Sequence, residues 1–194
     1  MASWPLQTQD IPNLITSLRI LLVLPFLWLL LQGHYGAALW LFTLAGISDA
    51  LDGFLAKRYG WTSDLGGILD PIADKLLLVG AILALGWLGA LPFWLVMLAI
   101  LRDAVIVAGA ISYHLLIEPI RPHPLLISKL NTLLQLGLVF VVIVHRGLLA
   151  LPDWLLSALF YLTAATTVWS GMAYVWRWGW AAWRSAKYAS PSAK

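Results

Sequence analysis

SDALDGFLAKRYGWTSDLGGILDPIADK, residues 48–75, carries two pairs of aspartates at the ends of long apolar runs. Asp49 and Asp52 are three apart, and Asp70 and Asp74 are four apart. On a helix, either spacing sets both carboxylates on one face. The first pair closes one apolar run and the second opens the next. The residues between them, with Lys57, Arg58, Gly60 and Asp64, read as a short polar turn. Two antiparallel helices joined there bring all four carboxylates to one end. Acids gathered in a medium of low dielectric repel one another, so the arrangement asks for cations. Hard divalent ions with oxygen ligands meet that need, and a pair about 3.5–4 Å apart is the usual arrangement for phosphate chemistry. One acid at a helix end ordinarily caps a terminus or sits among lipid headgroups. Four at this spacing, with glycines between them, point to a functional site, as ionisable groups in apolar spans generally do.

The composition sets the solvent. Of 194 residues, 61% are hydrophobic and 11% charged, and the mean hydropathy is +0.86. A soluble domain carries about 25% charged residues. The chain therefore reads as a polytopic membrane protein with a single membrane-embedded domain over 1–194, since no polar stretch is long enough to fold alone. The absence of cysteine excludes disulfides, thiolate metal sites and thiol nucleophiles. The net charge of +3 is dispersed and gives no support to nucleic-acid binding. Twelve tryptophans suit a protein with rings at two membrane interfaces. The start of the chain lacks the pattern of a cleaved signal peptide, so the first span is expected to stay.

Taken in order, residues 1–10 read as an interfacial segment. The first span covers about 11–31, with Asp10 as its cap and Pro12 in its first turn. Asn13, Thr16 and Arg19 lie along one face of it; the alternative is a polar helix start with Arg19 snorkelling to the surface. Gly33-His34-Tyr35-Gly36 is a tight turn with His34 in solvent. The second span covers about 37–56, where Gly46 suits close helix packing. The third covers about 65–88, with Pro71 near its start. Gly66 and Gly67 there would let a phosphate or nucleotide approach the backbone. The fourth, about 92–116, holds Arg102 and Asp103 near its middle, and Arg102 is expected to turn inward to a carboxylate or a substrate phosphate. The loop at 117–126 carries three prolines with Glu118, Arg121 and His123, and reads as a rigid wall. The fifth span, about 127–144, opens with Ser128, Thr132 and Gln135 on one face, and Lys129 and Asn131 to its sides. The sixth covers about 154–176, and 177–194 reads as an interfacial anchor ending in disorder. The expected fold class is all-α integral membrane, with six transmembrane helices behind a short interfacial segment.

Six spans put both termini on one side. The turns near 33–36, 89–92 and 145–153 then face the other way, and their one lysine or arginine is Arg146. Lys57, Arg58, Arg121, Lys129, Arg177, Arg184, Lys187 and Lys194 share the side of the termini. By the positive-inside rule that side is cytoplasmic. The acids would lie about 5–15 Å below it, at 1.5 Å per helical residue. A site so placed opens to the cytosol on one side and to the bilayer on the other. Buried acids also mark cation transporters, but those need a path to both faces, and the opposite turns offer only Asp153.

Asp49-x-x-Asp52-Gly53-x-x-Ala56-Lys57, followed by Gly66-x-x-x-Asp70-x-x-x-Asp74, resembles the signature of the CDP-alcohol phosphotransferases. These are membrane enzymes that join an alcohol to a CDP-activated lipid and release CMP. The family usually has Arg after the alanine; here Lys57 stands there and Arg58 follows. The resemblance implies CDP-diacylglycerol as donor and two divalent ions, Mg²⁺ or Mn²⁺, held by Asp49, Asp52 and Asp70 with Asp74 contributing. It implies Asp74 as the base that takes the proton of the attacking hydroxyl. Gly53, Ala56 and Gly66 would make room for the CDP moiety, Lys57 or Arg58 would neutralise a phosphate, and Asn13 and Thr16 would complete the nucleotide site. The run Ile127-Ser128-Lys129-Leu130-Asn131-Thr132 and the Arg102-Asp103 pair are similar to those of the subfamily that uses phosphatidylglycerol as acceptor and makes cardiolipin. Arg102, Arg121, Ser128, Lys129 and Asn131 would then serve the acceptor. Glycerol 3-phosphate, giving phosphatidylglycerophosphate, is the alternative acceptor. The resemblance further implies a homodimer in a bacterial cytoplasmic membrane.

Overall fold

The computed structural model describes residues 11–59, 64–116 and 125–188. Every apolar run expected to be a span is a helix: α1 Ile11–Leu31, α2 Tyr35–Tyr59, α3 Asp64–Trp87, α4 Phe93–Leu116, α5 Leu126–Gly147 and α6 Asp153–Tyr188. The segment 1–10 and most of the proline-rich loop, with Arg121 and His123, lie outside the described residues, as does 189–194.

Two boundaries differ from expectation. α2 continues to Tyr59, so Lys57 and Arg58 occupy its last turn and not a loop. Cations there face the negative end of the helix dipole, which favours one more turn. α6 continues to Tyr188, so the aromatic and basic stretch 177–188 extends the last helix. That stretch has no proline and one glycine, and alanine, arginine and lysine in it favour the helix.

The helices form two compact units. The first holds α1, α2, α3 and the end of α5 from Val139; the second holds α4, α5 up to Leu138, and α6. In the first unit α1 packs on both α2 and α3. Thr16, Arg19, Val23, Phe26 and Leu30 are buried, and their spacing of three and four makes one stripe along α1. Phe26 meets Phe42 of α2 with ring centroids 5.6 Å apart. On α3, Gly80 makes room for Leu27: a Cβ there would lie 3.0 Å from the leucine Cδ1. Gly33 (φ 78°) and Gly89 (φ 65°) end α1 and α3 in left-handed conformations. The His34 N–H donates to the Leu29 carbonyl and the Ala90 N–H to that of Leu85, so both ends are closed by the same glycine-dependent motif.

In the second unit α4 packs on α6. Gly109 of α4 abuts the Trp178 ring, which fills the place a side chain would take. Trp94 stacks on Tyr161 with centroids 5.9 Å apart. Gly46, expected to support close packing, faces open space instead.

Among the described residues, three helices are long and apolar enough to cross a membrane: Phe93–Ser112, Leu126–Gly147 and Asp153–Trp180. α1 adds a shorter apolar stretch, Ile15–Leu31. α2 and α3 carry the charges of the acid-rich segment. Large apolar side chains point outward throughout, with Trp40, Trp87 and Leu126 more than three-quarters exposed. Lipid, not water, is the solvent such a surface fits. The protein is an all-helical membrane protein.

Candidate active site

The first unit gathers its charge around Arg19. The apolar stripe of α1 that packs on α2 and α3 includes Arg19, whose side chain has no solvent exposure. A guanidinium in that position must find carboxylates, because the lipid-facing and helix-facing surfaces offer no water. Its Nη1 donates to Asp49 Oδ1 of α2 at 2.7 Å and to Asp74 Oδ1 of α3 at 3.0 Å. One nitrogen thus ties together three helices and one member of each aspartate pair. Arg19 does not snorkel to the surface. A cation for Asp49 and Asp74 is supplied by the chain itself, and Arg19 is the residue that sequence reasoning undervalued. Its signal was the three-residue spacing from Asn13 through Thr16.

The two carboxylates remain accessible: the side chains of Asp49 and Asp74 are 44% and 50% exposed. Asp52 follows Asp49 on α2 by three residues, and Asp70 precedes Asp74 on α3 by four, so the backbone keeps each pair on one face. The side chains of Asp52, Asp70, Asn13, Ala56, Lys57 and Gly66 lie outside the described residues. Gly53, one turn beyond Asp49, has nothing within 4 Å of the place a Cβ would occupy, and Arg58 is exposed. Among the described residues no group of three or more acids or histidines stands ready to hold a metal. The donor set suits a hard cation all the same: carboxylates from two helices converge on one positive charge and are half open to solvent.

The second unit has its own polar centre. Arg102 of α4 is 5% exposed and turns inward, as expected. Its Nη1 pairs with Asp103 Oδ1 at 2.6 Å. Its Nη2 donates to Ser128 Oγ of α5 and to Ser170 Oγ of α6, each at 2.6 Å. Nε also donates to Ser170 Oγ, at 3.2 Å. Asn131 is fully buried, and its Oδ1 accepts from Thr167 Oγ1 at 2.8 Å and Thr166 Oγ1 at 3.1 Å. The buried face of α5 therefore runs Ser128, Asn131, Gln135, and not Ser128, Thr132, Gln135. Thr132 sits on its flank and donates to the Ser128 carbonyl of its own helix. Lys129 is exposed. His34 is exposed in the turn where it was expected. The role of Ser170, Thr166 and Thr167 escaped the sequence reading, because hydroxyls on an apolar helix are ordinarily satisfied by their own backbone.

Comparison with known proteins identifies the family. The family profile described as CDP-alcohol phosphatidyltransferase matches residues 9–169. A probable cardiolipin synthase (CMP-forming) of Drosophila melanogaster is 32% identical over 188 residues, covering 85% of this chain and 56% of that protein. The cardiolipin synthase (CMP-forming) of Streptomyces coelicolor is 38% identical over 112 residues, 54% of this chain and 52% of the relative. A probable phosphatidylglycerophosphate synthase of Mycobacterium tuberculosis is 40% identical over 100 residues, 48% of each. The chain thus spans about half the length of these relatives. With the profile covering most of its length and the aspartates of α2 and α3 meeting at one cation, the chain belongs to the CDP-alcohol phosphatidyltransferase family.

Proposed function

We propose that this chain is a cardiolipin synthase: it transfers the phosphatidyl group of CDP-diacylglycerol to the free hydroxyl of phosphatidylglycerol and releases CMP. The meeting of Asp49 and Asp74 at Arg19 is the observation that carries the reading, because it joins the two halves of the aspartate motif in one site. Asp49, Asp52, Asp70 and Asp74 would hold two Mg²⁺ or Mn²⁺ ions. Such ions, when bound, neutralise the pyrophosphate and the charge that develops on departing CMP. The remaining chemistry belongs to side chains. Open space at Gly53, with Ala56 and Gly66 nearby in sequence, admits the CDP moiety. Lys57, Arg58, Asn13 and Thr16 bind it. The acceptor hydroxyl oxygen attacks the phosphorus that bears diacylglycerol, the bond from that phosphorus to the CMP oxygen breaks, and Asp74 takes the hydroxyl proton. Arg19 aims Asp74 for that step. Arg102, Arg121, Ser128, Lys129 and Asn131 bind the acceptor.

The architecture we propose around this chemistry is one membrane-embedded catalytic domain of six spans that works as a homodimer. Both termini face the cytoplasm of a bacterial cell, on the side rich in lysine and arginine. Purified protein given CDP-diacylglycerol with phosphatidylglycerol or glycerol 3-phosphate, scored by lipid product, tests the choice of acceptor. Cardiolipin is expected. Product from glycerol 3-phosphate alone would make this a phosphatidylglycerophosphate synthase, the reading favoured by the mycobacterial relative.

A further inference from the structure

The first unit has a cleft at the end away from its aspartates. Residues 33–37, which turn from α1 into α2, line it together with Arg146 and Gly147 at the end of α5, and its volume is about 320 Å³. Gly147 lets the two segments come close: a Cβ there would lie 2.5 Å from the Tyr35 Cβ and 3.3 Å from the Gly36 nitrogen. Arg146 is exposed but anchored. Its Nη2 donates to the Gly89 carbonyl at 3.2 Å, which holds the guanidinium at the rim. Among the described residues its Nε and Nη1 make no further hydrogen bond, and no acid lines the cleft.

Two observations place the cleft among lipid headgroups. Asp49 lies 14 residues after Tyr35 on α2, about 21 Å along the helix at 1.5 Å per residue. Trp28, Trp40 and Trp87 stand within two turns of this end of α1, α2 and α3, and all three are exposed. Tryptophans set so mark a membrane–water interface. Arg146 is also the one lysine or arginine in the three turns expected on this face, a face that ordinarily carries few. A guanidinium with donors to spare, in a cleft without acids, suits an anion. It meets a phosphate through two parallel N–H bonds. His34 brings a ring donor, and the opening turn of α2 favours the same sign of charge. Basic pockets between membrane helices hold anionic headgroups in this way.

We infer that the cleft of His34, Ala37 and Arg146 binds the phosphodiester of an anionic phospholipid in the leaflet opposite the aspartates. It is a second lipid site, separate from the catalytic one and independent of which alcohol the enzyme uses. With no carboxylate to hold an ammonium head, it selects phosphatidylglycerol over phosphatidylcholine.

The test counts the lipids that the full-length protein retains in native mass spectrometry, with phosphatidylglycerol or phosphatidylcholine added to the detergent. Wild-type protein is expected to keep one more phosphatidylglycerol than Arg146→Gln. The Kd of that step should rise about tenfold, the scale of one lost hydrogen bond to a charged group, and phosphatidylcholine should show no difference. Ala37→Glu guards against damage to the fold. A carboxylate in the first turn of α2 favours the helix, so its unfolding midpoint should hold while the lipid is lost. CMP release and the KM for the acceptor should be unchanged in both variants. Equal phosphatidylglycerol counts in the wild type and both variants overturn the inference and leave Arg146 as a cap for the α3–α4 turn. A lipid lost from Arg146→Gln but kept by Ala37→Glu overturns it too. Displacement of the lipid by inorganic phosphate would assign the cleft to a soluble anion and refute a lipid site. An acceptor KM that rises as the lipid is lost would make the cleft part of the acceptor's path and refute a separate site. Failure of phosphatidylglycerol as acceptor would overturn the proposed function and leave this lipid count standing.

Discussion

Arg19 shows how much one buried charge decides. Its guanidinium touches acids of both α2 and α3. Breaking a buried pair costs about 3–5 kcal/mol. Asp49 and Asp74 stay half exposed and can rehydrate, so Arg19→Leu is expected to cost about 2 kcal/mol, read as a lower unfolding midpoint in detergent. Arg19→Lys keeps the charge on a shorter, single-pointed donor and should fall between. No loss in either variant would mean that the contacts are idle. Asp74→Asn addresses the chemistry directly. It removes the proton acceptor with little change of shape, so kcat should drop about 10²–10⁴-fold while the protein still folds and binds CDP-lipid. Native turnover in that variant would strip Asp74 of its role. That Asp49 and Asp74 come to one place was legible from the two apolar runs and the polar turn between them. Arg19 was only half legible: periodicity put it on a face, but whether that face met lipid surface or carboxylates depended on how α1 packs.

At the scale of elements, the six helices could be read from uninterrupted apolar runs and from turn residues at 33–36 and 89–92. Their ends could not. Lys57 and Arg58 looked like loop residues because they are charged, yet a helix welcomes cations in its last turn. The buried face of α5 was misread by one position, since Asn131 and Thr132 are neighbours and only the partner helix chooses between them. Glycines show the same limit. Gly46 and Gly109 look alike in sequence, but a Cβ at Gly109 would run into the Trp178 ring, and one at Gly46 would meet nothing. Gly109→Ala should therefore push α4 from α6 and cost about 1–3 kcal/mol. Gly46→Ala should be neutral or stabilise by up to about 1 kcal/mol, the ordinary gain of alanine over glycine in a helix. Thermal unfolding of the two variants side by side checks the contrast, and equal effects would contradict the packing.

For the whole molecule, the membrane class was set by composition, and the family by one motif of 26 residues from Asp49 to Asp74. The acceptor was not so fixed, because both acceptors carry a phosphate and a basic pocket does not separate them. The role of metal separates an enzyme of this kind from a cation transporter. Removing divalent ions with EDTA should abolish CMP release from detergent-solubilised protein, where no gradient exists, and Mg²⁺ or Mn²⁺ should restore it. The fold should survive, because Arg19 already holds one charge between Asp49 and Asp74. A ligand at a hundred times its Kd adds only about 2.7 kcal/mol, so chelation should lower the unfolding midpoint without melting the protein. CMP release that persists in EDTA would refute the metal site, and wholesale unfolding on chelation would show that Arg19 does not carry the resting charge of the pocket.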